Sequence, residues 1–466
     1  MKKIYFAFIA LCFITTSCND FVDIIPKGNT IPTTVDDLAK MLNFGTYTSI
    51  GGFSTLNYNV DYFEVYTDDF TLPQDPGHPY YSMNSIAILA NAMKWSDSED
   101  AGDGNWTGLY KSNYLVNYVL DNIDNVEQGV AYERDEIKGR ALVHRAMNYF
   151  ILVNLYGKQY NATAGSTSST DLGVPLVLES DINKQYPRAT VASVYEQVLA
   201  DLTEAISLLK IDAPKEKSIP GLASAYALRA RVYLWMQNYD QAYNDAVSAL
   251  AKLSQLIDYN TCSYTLPSYG AAAGINGYNT PAALNQEVMY ARYKTATTPC
   301  LYGEKLLAIT DTDNDLRYTL FRYIYGGITL MVYGYHYNSG INTSEVWLTK
   351  AEAALRKSSP NISDALAALN YVRKNRIKTS AYQPVTETNP TALLTQILNE
   401  RRREIRMNDL AFFDHKRLNI NPTTARTMSR MFLGEEYTLP VGDKRWQFLI
   451  PREVMQFNPQ MVQNER

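Results

Sequence analysis

Cysteine and histidine are both scarce here, with four of each in 466 residues. His78, His144, His336 and His415 stand far apart, and none has a second ligand at metal-binding spacing. That argues against a dedicated zinc site. Basic charge is not in surplus either: 43 Lys and Arg against 48 Asp and Glu give a net charge of −5. A chain without a cationic excess does not neutralise a run of phosphates, so nucleic acid is a poor partner. Beyond the N-terminus no apolar run approaches the ~20 residues of a membrane-spanning helix. No nucleophile stands with a base and an orienting group, so the chain does not read as an enzyme, and nothing calls for a cofactor.

What the chain does have begins at its first residues. Lys2 and Lys3 precede an apolar stretch, Ile4 to Ile14, that is too short to span a bilayer. Thr15-Thr16-Ser17 then lead straight into Cys18. This is the layout of a bacterial lipoprotein signal. The thiol is the strongest side-chain nucleophile near neutral pH, so Cys18 takes the lipid and becomes the new N-terminus. The alternative is an ordinary secretory signal with an incidental cysteine. On the lipoprotein reading residues 1–17 are removed, and acyl chains such as palmitate tether the rest to a membrane. Cys12 leaves with the signal. Cys262 and Cys300 then either pair in an oxidising compartment or remain separate thiols.

Pro26, Gly28 and Pro32 make residues 18–33 an extended leader. A short helix is expected over Val35 to Leu42, with Thr34 as N-cap and Asp36 and Asp37 in its first turn. Residues 44–106 read as loop-rich. From Trp106 the pattern turns helical, with Leu109, Val116, Leu120 and Ile123 on one face. A long helix follows from about Tyr132 to Tyr156, where Gly157 stops it. Gln159–Thr170 reads as an exposed loop, and another helix runs from about Val191 to Lys210.

Ala230, Ala242 and Ala249 occupy the small-residue positions of a tetratricopeptide unit, with Tyr239-Asp240 at the turn between its helices. Ala353 and Ala365 repeat part of this, on helices near Glu345–Arg356 and Ser363–Asn375. The intervening segment 256–344, rich in Gly, Tyr, Thr and Asn, reads as excursions with short strands on one face of the scaffold. The expected fold is mainly α: a tetratricopeptide-like helix-turn-helix scaffold with long loop-rich excursions and minor β. The units are not contiguous, so it is not a plain solenoid.

Tyrosine is abundant, at 36 residues, against five tryptophans. A tyrosine offers a flat apolar face and a hydroxyl, which suits sugars and peptides; most single tyrosines nevertheless pack at helix edges. Sites for sugars need exposed aromatics on loops with polar neighbours. Trp95, in a polar loop, is the first candidate. His78, Tyr80, Tyr81 and Asn84 are the second group. Tyr278, Tyr290, Tyr323 and Tyr325 are candidates for an opposite wall. Trp106 and Trp347 read as packed within helices.

Two charged groups need a reading. Glu400-Arg401-Arg402-Arg403-Glu404-Ile405-Arg406 mixes signs at helical spacing and reads as an ion-pair network that fixes the last helices, as do Asp414 and Arg417. Asp68, Asp69, Asp97, Glu99, Asp100 and Asp103 scatter carboxylates through the loop-rich part. A glycoside hydrolase would need two facing each other across a sugar, which loop spacing does not show. Asp97–Asp103 is a solvated loop or a calcium loop, without the pattern of an EF-hand.

Taken in order, several motifs resemble those of the SusD/RagB family of Bacteroidetes outer-membrane lipoproteins. They start with Cys18-Asn19-Asp20-Phe21-Val22-Asp23-Ile24-Ile25-Pro26. Gly139-Arg140-Ala141-Leu142 through Leu155-Tyr156-Gly157 follows, then Gly173-Val174-Pro175-Leu176 and Arg188-Ala189-Thr190-Val191, then Ala223 to Ala249. The C-terminal half adds Glu345-Val346-Trp347-Leu348, Leu369-Asn370-Tyr371-Val372-Arg373, Asn399 to Glu404, Phe413-Asp414-His415-Lys416-Arg417, Ile450-Pro451-Arg452-Glu453 and Gln463-Asn464. The family often continues with a Gly-aromatic pair where this sequence ends on Glu465-Arg466.

The resemblance implies a binding protein and not an enzyme, lipid-anchored in the outer membrane and facing the cell exterior. Such proteins capture oligosaccharides or polysaccharides and pass them to a SusC-type TonB-dependent transporter. Peptides or glycopeptides are the alternative ligands, and a repeat scaffold without its own ligand is the alternative role. The resemblance also divides the chain into an N-terminal region, 18–220, and a C-terminal region, 221–466, as one intertwined unit.

Overall fold

The computed structural model describes residues 32–43, 63–77, 81–96, 103–163, 165–265, 274–277, 285–292, 301–325, 328–331, 338–406 and 408–466. The signal, Cys18, Cys300 and the Asp97–Asp100 carboxylates lie outside them. The longer helices are α1 (Val35–Asn43), α2 (Met83–Lys94), α3 (Asp103–Asn122), α4 (Arg134–Tyr156), α5 (Val191–Leu208), α6 (Leu222–Trp235), α7 (Tyr239–Lys252), α8 (Thr343–Arg356), α9 (Ile362–Lys374), α10 (Pro390–Glu404) and α11 (Ala411–Leu418). Strands are short and pair only in twos: β1 (Phe70–Thr71) with β5 (Leu301–Tyr302), β2 (Ser263–Thr265) with β3 (Gly274–Asn276), β4 (Val288–Tyr290) with β8 (Ile341–Asn342), β6 (Arg322–Tyr325) with β7 (Ile328–Met331), and β9 (Met428–Phe432) with β10 (Glu435–Leu439). The mainly helical expectation holds. Among the described residues no helix is long and apolar enough to cross a membrane.

Helix α4 is the centre of the molecule, buried along nearly its whole length. A helix buried all round must satisfy its polar side chains internally. Arg145 does so by donating to both oxygens of Asp201 on α5, 2.8 Å each, and to Asn117 Oδ1 on α3 at 3.1 Å. Three helices are thereby joined by one guanidinium. Gly139 lets α5 approach, because a Cβ there would sit 2.9 Å from Leu209 Cγ. At the far end the last carbonyls of α4 are taken from outside the helix. Phe448 N donates to Leu155 O, and Arg188 and Asn464 donate to Tyr156 O.

The alanine spacing reports a real helical pair. Ala230 on α6 and Ala242 and Ala249 on α7 are fully buried, which permits close helix approach. Tyr239 and Asp240 begin α7 and do not form the turn: the turn is Met236 to Asn238, with Gln237 at φ 61° and the Asn238 side chain capping Gln241 N. The second pair, α8 and α9, buries Ala353 and Ala365 in the same way. Although far apart in sequence, the two pairs pack together, and Tyr243 OH on α7 donates to Asp364 on α9 at 2.6 Å.

The charged run on α10 is a structural network, as its spacing suggested. Glu400 and Glu404 share one side and meet Arg317 at 2.6 and 2.8 Å; Arg373 joins Glu400 and Arg376 joins Glu404 at 3.0 Å each. Arg401 turns to Asp414 at 2.9 Å and Arg402 to Asp69. Arg417 on α11 binds Glu352 on α8 through two bonds of 2.8 and 2.7 Å and shares Asp414. One helix thus holds the second helical pair, α11 and the segment 68–69 in fixed relation.

The chain enters the body at α1, capped by Thr34 as its sequence suggests. Val35 N bonds Glu127 O and Glu127 N bonds Thr33 O, 2.9 Å each, as an isolated parallel bridge. The Asp36 carboxylate accepts the backbone N–H groups of Val130, Ala131 and Tyr132.

Candidate functional site

The segment 63–96, read as loop, contains a twelve-residue helix, α2. Ile86, Leu89, Ala90 and Met93 face a second, smaller core. That core joins three distant parts of the chain: Val65, Phe70 and Leu72 beside α2; Tyr302, Leu306 and Tyr318 from the excursion; and Phe432 from β9. Strand pairing fixes the junction, with Phe70 opposite Tyr302 and Thr71 opposite Leu301. Gly303 makes it close. Its N–H donates to Asp69 O at 2.6 Å, and a Cβ there would lie 2.4 Å from Asp68 O. Beyond it, Tyr302 and Tyr318 pack with ring centres 5.1 Å apart, the Arg322 guanidinium covers Tyr318, and β6 runs on to Tyr325. Tyr323 and Tyr325 lie opposite Leu330 and Ile328 in the β6–β7 ladder.

The sequence candidates therefore separate. Tyr81, half-buried, stands just before α2, and Asn84 is the second residue of that helix. The second core packs α2 against the part of the excursion that holds Tyr302, Leu306 and Tyr318, from which β6 runs on. His78, Tyr80 and Tyr278 lie outside the described residues.

Trp95 and Tyr290 are not exposed platforms, and both expectations are corrected. Trp95 is 3% exposed. Its Nε1 donates to Tyr66 O at 2.8 Å and the Arg430 guanidinium lies 4.2 Å from its ring. Neither ring face is left for a sugar. Tyr290 is buried on β4, its hydroxyl 2.5 Å from His144 Nδ1. Burial raises the Tyr290 phenol above its ordinary value. Burial, with Arg292 and Arg140 nearby, pushes His144 down to about 3, so the pair is a neutral core hydrogen bond. Trp106 and Trp347 pack within helices as expected, Trp347 donating to Ser254 O.

Beneath this assembly lies a charged node that sequence spacing did not reveal. Asp68 takes two bonds from Arg426, 2.7 and 2.6 Å, and one from Ser429 N at 3.1 Å. Asp69 takes Arg402, and His415 Nε2 stands 3.4 Å from it. Burial opposes ionisation of both carboxyls, but Arg426 holds Asp68 below the usual range and Arg402 and His415 hold Asp69 there. Burial and Arg426 lower His415 as well. Asp68, Asp69 and His415 have metal-ligand residue types and lie close enough to share an ion. Their oxygens are already engaged by guanidiniums, so the node acts as an ion-pair joint. Two ionised, arginine-bound neighbours supply no general acid either. Cys262 carries a free thiol.

Comparison with known proteins follows the same outline. A family model described as starch-binding and associating with the outer membrane matches residues 20–234, and one described as the SusD family matches residues 231–466. A SusD-like protein, P25, from Formosa agariphila is 25% identical over 262 residues, 53% of this chain and 45% of that protein, so the match spans less than half of that relative. A SusD superfamily structure from Bacteroides thetaiotaomicron aligns with TM-score 0.71 and 22% identity, covering 93% of this chain and all of that one. Surface glycan-binding protein A from Bacteroides uniformis aligns with TM-score 0.64 and 16% identity, covering 92% of this chain and 99% of that one. At these identities the structural likeness carries the fold.

Proposed function

Because the chain belongs to the SusD family, we propose that it captures glycan oligomers and hands them to a SusC-type TonB-dependent transporter. Lipidation at Cys18 holds it to the outer membrane, on the cell exterior. The ligand lies between the start of α2, with Tyr81 and Asn84, and the excursion bearing Tyr323 and Tyr325. His78, Tyr80 and Tyr278 are further ligand candidates on sequence grounds.

The observation that carries this reading is the second core. It is distinct from the main core, which it meets at Tyr66 and Tyr437, and it joins the α2 segment to the excursion at Tyr302 and Tyr318 through the β1–β5 pair. Tyrosine and asparagine side chains are the types that suit the apolar faces and hydroxyls of sugars. The description of the family model as starch-binding supports the ligand class. The SusC partner rests on the family resemblance.

Affinity electrophoresis of the detergent-solubilised full chain, through native gels holding plant, microbial or host polysaccharides, tests the proposal. Retardation by one polymer class, reduced by Tyr81→Ala, is the expected result. Retardation by none turns the reading toward peptides or glycopeptides.

A further inference from the structure

Trp95 is the residue that follows α2, and its φ is +47°. Ser96 N bonds Asn91 O at 2.9 Å and Trp95 N bonds Ala92 O at 3.2 Å, closing the helix with Trp95 at the left-handed position. Glycine is the usual occupant there, and a side chain with a Cβ is strained in it. A strained backbone persists where its surroundings fix it. Here the surroundings do so on every side. The indole N–H is bonded to Tyr66 O, Arg430 stacks on the ring, and Arg430 Nη2 also donates to Thr67 O at 2.6 Å. The Trp95 carbonyl accepts Arg445 Nη1 at 3.1 Å, and Arg445 is itself held by Asp443. Three separate segments, 66–67, β9 and 443–446, thus fasten one end of one helix.

The other end of α2 starts two residues after Tyr81 and includes Asn84. Twelve residues make a lever of about 18 Å. A tilt of about 10° at Trp95 would move the far end by about 3 Å, more than a binding site tolerates. We propose that Trp95 is a positioning residue: it sets the axis of α2, and so the place of Tyr81 and Asn84, without touching ligand. The inference rests on the ligand face proposed above.

Two variants and two measurements test it, on the full chain in detergent. Trp95→Gly removes the clamp and suits the backbone but also empties a buried site in the main core, so exchange in α4 must stay at the wild-type rate for the comparison to count; Trp95→Phe keeps a ring beneath Arg430. Amide hydrogen exchange is read in 81–94 and, as a control, in 134–156. Retention is read on native gels containing the polymer that retards the wild type. The expected result for Trp95→Gly is faster exchange confined to 81–94, with retention weakened about ten-fold, and partial recovery of both in Trp95→Phe. Unchanged exchange in 81–94 overturns the proposal whatever the ligand. Faster exchange there with wild-type retention overturns it too, because α2 would then not place the binding residues. Weakened retention with unchanged exchange would make Trp95 a contact residue and overturn it in the other direction. If no polymer retards the wild type, the glycan reading fails by itself, and exchange still decides whether Trp95 sets α2.

Discussion

Lys416 Nζ donates to the carbonyl oxygen of Asn154 at 2.7 Å, joining α11 to the last turn of α4 across 262 residues. A second bond of 2.7 Å goes to Gly157 O. The cation thus sits where the partial negative charge of a 23-residue helix collects. Burial pushes the ammonium down to about 7. The unfolded chain holds its proton up to about 10.5. Between those values the unfolded state binds more protons, so stability from this site increases as pH rises from 7 toward 10.5. Lys416→Met lacks that slope. Urea unfolding at pH 7 and 9.5 should show the gap between wild type and variant widening, by at most about 1.4 kcal/mol per pH unit.

His144 works on the acid side. Its folded value of about 3 lies below the ordinary value of 6.5. As pH falls through 6.5, the unfolded chain takes up a proton that the buried ring refuses, and stability is lost until about pH 3. His144→Gln, which still offers an acceptor to Tyr290, removes this contribution. From pH 7 to pH 5 the variant should lose about 2 kcal/mol less than the wild type in urea titrations.

Arg417 and Glu352 are both buried and bound through two bonds. Burial raises the Glu352 carboxyl, but Arg417 outweighs it and holds the group down to about 2. Arg417→Met leaves that carboxylate without its main partner and should cost about 3–5 kcal/mol. Lys40→Ala breaks a pair in which the lysine is 75% exposed, and thermal unfolding of that variant should match the wild type.

Gly303→Ala drives a methyl group against Asp68 O at 2.4 Å. The backbone there cannot yield without parting β1 from β5. Stability should fall by about 1–3 kcal/mol. Polysaccharide retention should fall with it, since the same pair joins the two proposed ligand walls. Calorimetry and native gels on one preparation read both effects.

The scaffold was legible because its signals are local. Alanines twelve apart report two helices in close contact, and alternating charges over Glu400–Arg406 report a helix that sends different sides to different partners. The helix α2 was also written locally, in the spacing of Ile86, Leu89, Ala90 and Met93, but the Gly, Pro and Tyr residues before it obscured the period. Trp95 was misread for a different reason. Beside Ser96 and Asp97 it looks solvent-exposed, and what buries it, Tyr66 and Arg430, is 29 and 335 residues away. Nothing in the spacing of Asp68 or Asp69 announces Arg426 or Arg402. Side-chain burial of this kind depends on long-range packing that periodicity does not encode.

On the proposed lipidation at Cys18, a pull on the leader would act on the body through the residues before α1. The first structure it meets is the parallel bridge to Glu127 and the three amides gathered by Asp36. Both sets of bonds end in the connection between α3 and α4, so under that proposal tension on the leader would be delivered to the two central helices and not to the ligand-bearing excursion.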